Sequence, residues 1–231
     1  MSRPTQQSSV VYSALVFDVG NTLVRTADSV ESAYLRVFAR HGIPAEKIRL
    51  FKQFAGRPKH FLFSEALGDI PGKAGVVRAC MAEFEKILAE EVGHIAELPG
   101  ASDCLRRLRS HGWRIAMASG FPRVVGRAIL DRFGWDYPLV CDEDVEEHRP
   151  APDPVLKACA LLAVKPAEAV VVGDTPQDVL SAKAAGACSI AVTTGKFTDE
   201  ELAGYRPAFI ISGLAELPDL LEREFSGPPP P

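Results

Sequence analysis

Two acidic segments, widely separated along the chain, have the residue types for metal-assisted chemistry. Asp18 follows the apolar run Ala14–Phe17, and Asp174 and Asp178 follow the apolar run Ala169–Val172. Each run is typical of a buried strand, and parallel strands place their carboxyl ends at one edge of an open α/β sheet, where ligands bind. We therefore expect these carboxylates to form one cluster that can hold a hard cation such as Mg²⁺.

Asp18 is a candidate nucleophile as well as a candidate metal ligand. A carboxylate that attacks phosphorus forms an acyl phosphate, which divides one difficult step into two easier ones. A carboxylate that only caps a turn is the simpler interpretation, but the strand end and the second acidic segment favour a catalytic role. In the second acidic segment, a single Asp at the start of a helix would often be only an N-cap. We expect Asp174 to bind the metal directly and Asp178 to support it.

Two further polar segments suit a phosphate group. Ser119 and Gly120 end the predicted strand Trp113–Ala118, where a hydroxyl group and exposed N–H groups fit phosphate oxygens. This signal is weak alone, because Ser-Gly is common in turns. Arg149 lies in a proline-rich loop before a predicted helix. It is either a solvated surface residue or a fixed cation that neutralises a nucleophile and a phosphate.

The elements that must position these residues alternate between strand and helix after residue 95. This alternation predicts an α/β fold, a doubly wound parallel sheet of about six strands with helices on both faces. The predicted strands are Ala14–Phe17, Trp113–Ala118, Tyr137–Cys141, Ala169–Val172, Cys188–Val192 and Phe209–Ile211. The predicted helices are Ala101–Ser110, Arg123–Phe133, Pro154–Ala163, Gln177–Ala185 and Leu214–Phe225.

Residues 25 to 95 break this alternation and contain no predicted strand. Helices are predicted from a cap at Ser29 to Gly42, from Pro44 through Phe54, over Lys59–Leu67 and over Ala74–Glu91. An all-helical insert directly after the first strand can cover Asp18 and exclude water. We therefore predict a catalytic core at residues 10–24 and 96–225, a helical cap at 25–95, and flexible termini at 1–9 and 226–231.

Composition limits the partners and the compartment. The chain has 231 residues, a net charge of −4 and 5 scattered cysteines. The absence of a basic stripe predicts no nucleic-acid partner, and the absence of a run of about 18 apolar residues predicts no membrane span. Cysteines without a paired motif indicate thiols in a reducing cytosol more than disulfides or zinc ligands. We expect a cytoplasmic monomer or homodimer.

The four polar segments, in this order, resemble the motifs of the haloacid dehalogenase-like (HAD) hydrolase superfamily, in its phosphatase and phosphonatase-like branch. The resemblance covers roughly residues 12 to 222, and the insert looks like the small helical cap of that family. It implies a Mg²⁺-dependent phosphatase that cleaves a small phosphorylated metabolite through an aspartyl-phosphate intermediate. The intact Gly173-Asp174-Thr175 segment argues against the metal-free dehalogenases of this superfamily.

The resemblance also implies roles for individual residues. Asp18 would be the nucleophile and a Mg²⁺ ligand, Gly20 would offer its backbone carbonyl to the metal, and Asp174 would be the remaining carboxylate ligand with Asp178 close behind. Ser119 would bind the transferring phosphoryl group, and Arg149 would orient Asp18 and the phosphate. The residues expected to bind substrate are Asn21, Thr22, Ser119, Gly120 and Arg57.

One departure from the family pattern lies at Gly20. The family usually has there a second Asp, which serves as general acid and base, and such help is typically worth ~10²–10⁴-fold in rate. One explanation is a substrate with a good leaving group, or another proton donor such as His148, Lys59 or a different cap residue. Another is chemistry that needs no acid at this position.

Phosphonoacetaldehyde hydrolase, a relative, fits the second explanation. It resembles this chain in the small residue at Gly20, the arginine at Arg149 and the aromatic residue that follows Gly120. The segment Gly56–His60 is similar to its cap loop, in which a lysine matching Lys59 forms a Schiff base with the substrate. Such a lysine needs a lowered pKa. For Lys59, a solvated surface lysine is the simpler interpretation. A HAD-like binding module with little or no turnover is a further alternative.

Overall fold

The computed structural model describes residues 11–225, and the termini expected to be flexible lie outside the described residues. The strands are β1 (Ala14–Phe17), β2 (Val24–Arg25), β3 (Ala96–Glu97), β4 (Arg114–Ala118), β5 (Leu139–Val140), β6 (Ala169–Gly173), β7 (Cys188–Val192) and β8 (Phe209–Ile211). The α-helices are α1 (Ala27–Arg40), α2 (Lys59–Leu67), α3 (Lys73–Glu91), α4 (Ala101–Ser110), α5 (Arg123–Phe133), α6 (Asp153–Leu162), α7 (Pro176–Ala185), α8 (Asp199–Ala203) and α9 (Leu217–Glu224).

A parallel sheet forms the centre of the molecule, with strand order β5-β4-β1-β6-β7-β8. Every residue of β1 and β6 is buried. Strands that helices cover on both faces need such continuous apolar runs. The sequence pattern therefore predicted both segments as buried strands. The predicted doubly wound α/β fold is confirmed.

The register of the central strands brings the acidic segments together. Phe17 of β1 pairs with Met117 of β4 on one side and with Val172 of β6 on the other. The three strands therefore end almost level with one another. Asp18 and Asp174, which follow β1 and β6, emerge at the same edge of the sheet.

The start of α1 differs from the prediction. This helix begins at Ala27, and Ser29, the predicted cap, lies inside it. Its N-terminal N–H groups are capped from the preceding loop, because the Asn21 side-chain oxygen accepts hydrogen bonds from Thr26 N at 3.0 Å and Ala27 N at 2.9 Å. Asn21 does so from a left-handed backbone conformation, with φ of 55°, which Asn tolerates better than most residues.

Other element ends also differ from the predictions. β5 covers only Leu139–Val140, since Pro138 has no N–H group to extend the ladder. The helix predicted from Pro44 through Phe54 is a 3₁₀ helix over Ala45–Leu50. The last predicted helix is divided into a 3₁₀ turn and α9.

The insert between β1 and β3 is helical apart from one short strand. Its helices pack around an aromatic cluster, in which the Tyr34 ring centroid lies 4.5 Å from that of Phe84 and 4.9 Å from that of Phe63. Aromatic pairs of this kind contribute about 0.5–1.5 kcal/mol beyond their burial. β2 pairs antiparallel with β3 and joins the two ends of the insert, so the prediction of no strand in this segment is wrong at Arg25. The exact cap boundaries stay a prediction.

Two further observations concern the described chain. Among residues 11–225, no helix combines the length and the apolar character that crossing a bilayer requires. The five cysteines all lie in this range, and each is a free thiol.

Candidate active site

Asp18 is held by a buried arginine. Arg149 Nη1 donates to Asp18 Oδ1 at 2.8 Å and also to Asp178 Oδ1. These three residues are each less than 10% exposed. Burial raises the pKa of Asp18 to about 6, although the charge of Arg149 opposes this. Burial also acts to lower the pKa of Arg149, but the charges of Asp178 and Asp18 outweigh it and raise that pKa. Arg149 is therefore a fixed cation of the site and not a solvated surface residue.

Asp174 lies close to Asp18 in the same buried space. The Thr22 hydroxyl oxygen is 3.3 Å from Asp18 Oδ2 and 3.3 Å from Asp174 Oδ1, so it bridges the two carboxylates. Burial, together with the charges of Asp18 and Asp178, raises the pKa of Asp174 well above its usual value. Two buried like charges this close repel one another, and a divalent cation would neutralise both.

The oxygen donors at this position fit a hard divalent cation. The two carboxylates offer oxygens of the type that Mg²⁺ accepts, and Gly20, whose carbonyl is predicted to complete the set, lines the same cavity. Within residues 11–225, no group of three or more His, Cys, Asp and Glu side chains could hold a metal ion. A site here would therefore consist of Asp18 and Asp174 with backbone, water or substrate oxygens.

Asp178 does not fit direct metal ligation. Its Oδ1 is engaged by Arg149, and its Oδ2 accepts from Thr175 N at 3.0 Å and from Thr175 Oγ1 at 2.6 Å. With both oxygens occupied, Asp178 caps α7 and holds Arg149 in place. This geometry fits the supporting role and speaks against counting Asp178 among the ligands.

Ser119 and Gly120 lie opposite two cations. Ser119 is buried, and its Oγ accepts from Phe121 N at 3.2 Å. A Cβ atom placed on Gly120 would lie 3.5 Å from Arg149 Nη2 and 3.8 Å from Lys59 Nζ. The absent side chain leaves a space in front of Gly120 that both cations face, which suits an anion.

The space beside Gly20 is filled. A Cβ atom at this position would lie 3.0 Å from Thr26 Oγ1 and 3.1 Å from Phe121 Cε2. A longer acidic side chain would need the Phe121 ring to move. A side chain at this position would therefore require Thr26 or the Phe121 ring to shift by a few tenths of an ångström, and Gly20 itself supplies no proton donor.

A cavity lies next to the carboxylates. Asp18, Ser119, Arg149 and Asp174 form its polar floor, and Lys59 faces it from the insert. Gly56, from the segment that resembles a cap loop, also lines it, and residues that the sequence analysis did not single out complete its wall: Phe51, Lys196 and Phe197.

Lys59 is not on the open surface. It is partly buried at the start of α2, and its Nζ lies 5.4 Å from the centroid of the Phe121 ring. Burial lowers the pKa of Lys59, and the charge of Asp142 opposes that effect. The structure thus brings a lysine with a lowered pKa into the cavity that holds Asp18.

Three residues expected to bind substrate have other contacts. Thr22 is 0% exposed, so its hydroxyl serves the carboxylates and cannot reach a substrate. Asn21 lines the cavity, but its side-chain oxygen caps α1. Arg57 does not line the cavity with its side chain; its carbonyl oxygen would lie 3.9 Å from a Cβ on Gly120. For Thr22 and Arg57 the predicted substrate contact does not fit the structure.

The loop after β7 was missed by the sequence analysis. A Cβ atom on Gly195 would lie 1.9 Å from Asp174 Oδ2, so only glycine leaves room for that carboxylate. Thr194 Oγ1 donates to the Asn21 carbonyl at 2.5 Å, and Lys196 Nζ is paired with Glu31 at 2.5 Å. A signal was present, because Thr-Thr-Gly-Lys directly follows an apolar strand, as the acidic segments do.

Comparisons with known proteins show which family this chain is similar to. A family model described as haloacid dehalogenase-like hydrolase matches residues 12–186. The chain is 30% identical over 209 residues to the probable phosphatase IndB of Dickeya dadantii, covering 88% of this chain and 90% of that protein. It is 35% identical over 184 residues to hexitol phosphatase A of Escherichia coli, covering 77% and 81% of the two chains.

A solved structure supports the same fold. The crystal structure of a haloacid dehalogenase-like hydrolase from Bacteroides fragilis superposes with a TM-score of 0.81 and 26% identity. The match covers 89% of this chain and 99% of that one. The likeness therefore extends over both the sheet and the helical insert.

Proposed function

This chain belongs to the haloacid dehalogenase-like hydrolases, and we propose that it is a Mg²⁺-dependent phosphatase that works through an aspartyl-phosphate. The coarser activity, that of a phosphohydrolase acting on small phosphorylated substrates, follows from the family and its relatives. The observation that carries the proposal is the position of Asp18. This carboxylate lies between Arg149 and Asp174, at the base of a cavity that is faced by a second cation. The polar floor of this cavity and the insert residues that line it suit a small phosphate monoester.

In the mechanism that we propose, Asp18 attacks the phosphorus atom and forms the aspartyl-phosphate, which water then hydrolyses. Arg149 holds Asp18 Oδ1 and so fixes the direction of attack, while its second nitrogen faces the phosphoryl oxygens beside Gly120. Ser119 completes the phosphate site with its hydroxyl. When bound by Asp18, Asp174 and the Gly20 carbonyl, Mg²⁺ would neutralise charge on the phosphoryl oxygens.

The proposal is tested by phosphate release from a panel of small phosphate monoesters, with Mg²⁺ and with a chelator. We expect release from at least one monoester in Mg²⁺ and none in the chelator. Mg²⁺ binding without turnover on the whole panel would favour the alternative of a binding module.

A second candidate is cleavage of a carbon–phosphorus bond in phosphonoacetaldehyde. The observation that favours it is Lys59, which is partly buried, has a lowered pKa and lies in the same cavity as Asp18. Schiff-base chemistry needs such a lysine. Borohydride treatment with the aldehyde should then trap a covalent adduct on the wild type and not on Lys59→Ala. Release from monoesters without any adduct would reject this candidate.

Thermal unfolding should show that Mg²⁺ stabilises the protein more at about pH 7.5 than at about pH 5. The folded-state pKa values of Asp18 and Asp174 are raised above their unfolded values. Without metal, stability should therefore fall as the pH rises from about 4 through about 6, where Asp18 ionises. Mg²⁺ removes this cost at high pH, whereas at low pH it must displace protons.

The measurement is the Tm shift caused by Mg²⁺ at the two pH values, with Asp174→Asn as the control. That variant should show little shift at either pH. Equal shifts in the wild type at both pH values would contradict the proposed ligands.

Gly195→Ala should lower kcat/KM by roughly 10²-fold, because the new methyl group must displace the Asp174 carboxylate and such misplacements of about 1 Å can cost that much. Gly213→Ala is the matched control. A Cβ at Gly213 meets nothing within 4 Å, and its extended backbone accepts any residue. Unchanged kinetics in Gly195→Ala would show that the carboxylate position is not critical.

A further inference from the structure

We propose that Lys59 is the proton donor to the leaving-group oxygen and that Asp142, which lies beside His148, is the positioning residue that keeps Lys59 protonated for this task. The proposal rests on the proposed phosphatase function and deepens it. It assigns the proton transfer for which Gly20 supplies no side-chain donor.

The place of Lys59 in the cavity fits a donor to the leaving oxygen. Asp18 belongs to the sheet edge, whereas Lys59 begins α2 in the insert and faces the same cavity. In phosphoryl transfer the attacking and leaving oxygens lie roughly in line, on opposite sides of phosphorus. A group that faces Asp18 from the insert therefore lies where the leaving oxygen departs.

Lys59 is also the available acid in this cavity. Asp18 and Arg149 are paired with one another, Asp174 is a candidate metal ligand, and Lys196 is paired with Glu31 at 2.5 Å. In the described part of the chain, Lys59 forms no such salt bridge. Its protons are thus free for a substrate oxygen.

The backbone of Lys59 is fixed. The Tyr34 hydroxyl donates to the Lys59 carbonyl oxygen at 3.2 Å. Tyr34 is itself held in the aromatic cluster by Phe63 and Phe84. The first turn of α2 therefore presents the lysine from a packed base.

Lys59 also lines a second cavity. Asp142 and His148 line this second cavity as well. His148 Nδ1 lies 3.6 Å from Asp142 Oδ1. The ionisable groups around Lys59 are Asp18, Asp142, Arg149 and Asp174, and, across the second cavity, His60, Glu85, Glu143 and His148.

Neighbouring charges have opposite effects on the pKa of Lys59. Burial lowers the pKa of Lys59, as does the charge of Arg149, and Asp142 supplies the largest opposing effect. A general acid works best when its pKa lies near the working pH. Asp142 therefore keeps enough Lys59 protonated, while burial keeps the proton transferable.

The proton transfers balance over both halves of the reaction. In the first half, a bond forms between Asp18 and phosphorus and the bond to the leaving oxygen breaks. That oxygen keeps the electron pair and takes a proton from Lys59, which becomes a neutral amine. In the second half, water bonds to phosphorus, the electron pair returns to Asp18, and a water proton restores the Lys59 ammonium.

The test compares two esters, an alkyl phosphate with a poor leaving group and 4-nitrophenyl phosphate with a good one. Lys59→Arg keeps the cation but cannot give up its proton, and Lys59→Ala removes both. We expect each variant to lose ~10²–10⁴-fold in kcat on the alkyl ester and far less on the aryl ester, which needs no protonation. Full activity of Lys59→Arg on the alkyl ester, or equal losses on both esters, would overturn the proposal.

The pH profile tests Asp142. Asp142→Asn should move the alkaline limb of the alkyl-ester profile to lower pH by about one unit, because Lys59 then loses its proton more easily. Glu85→Gln, in the same second cavity, is the matched control and should leave the limb in place. An unmoved limb in Asp142→Asn would overturn its role. Inactivity of the wild type on both esters would overturn the proposed function itself, so the two failures are distinguishable.

Discussion

Asp18→Asn is expected to abolish phosphate release while the fold stays intact. The amide cannot attack phosphorus, so the covalent route is lost, and removal of a nucleophile typically costs at least roughly 10⁴-fold in turnover. The same result is expected for a phosphonate substrate, since both proposed reactions begin with this carboxylate.

Stability should not suffer in this variant. Burial raises the pKa of Asp18 to about 6, so the ionised form is costly in the folded, metal-free protein at neutral pH. Asparagine has nearly the same shape and removes one of the charges that repel Asp174. We therefore expect the metal-free Tm of Asp18→Asn to equal or exceed that of the wild type.

Single-turnover kinetics and thermal unfolding check both parts, with the exposed Asp136→Asn as a control that should change neither. Substantial residual turnover in Asp18→Asn would refute the nucleophile. A large fall in Tm would instead show that the variant is damaged and that the activity loss has another cause.

The sheet was predictable because its central strands carry strong local signals. β1 and β6 are continuous apolar runs, and each is followed by acidic residues. Parallel pairing in register then brings Asp18 and Asp174 together without further information. The edge strand β5 carries a weaker signal, since only Leu139 and Val140 pair within it.

The residues that sequence reasoning missed act through tertiary contacts. Gly195 matters because Asp174 occupies the space of its absent side chain. Asp142 matters because Lys59, from a distant part of the chain, lies on the same cavity. The strand end before Gly195 marks its loop as a candidate, but neither periodicity nor motif spacing reveals the contact with Asp174 or the nearness of Asp142 to Lys59.

Asn21 and Thr22 also show that membership of a local motif does not determine what a side chain contacts. Their place in the first acidic segment suggested substrate contacts. Instead, the left-handed backbone at Asn21 aims its side chain at the start of α1, and Thr22 bridges two carboxylates. Loop conformation decided both outcomes.

Arg149→Met should lower the free energy of unfolding by about 3–5 kcal/mol at neutral pH, the usual cost of removing one partner from a buried charge cluster. Methionine fills a similar volume but leaves Asp18 and Asp178 facing each other without the cation that both contact. The pKa of Asp18, which Arg149 lowers in the wild type, should then rise. The deficit should therefore shrink as the pH falls from about 7.5 to about 5, because protonation removes the repulsion.

Arg149→Lys is the matched control for this prediction. One Arg149 nitrogen contacts both carboxylates, and a lysine ammonium can take that place, so most of the stability should return. The second Arg149 nitrogen, which faces the space beside Gly120, has no counterpart in lysine, so KM should rise more than kcat falls. Denaturant unfolding at the two pH values, together with steady-state kinetics, separates these effects. A deficit in Arg149→Met that does not depend on pH would mean that the lost stability comes from packing and not from the carboxylates that Arg149 holds.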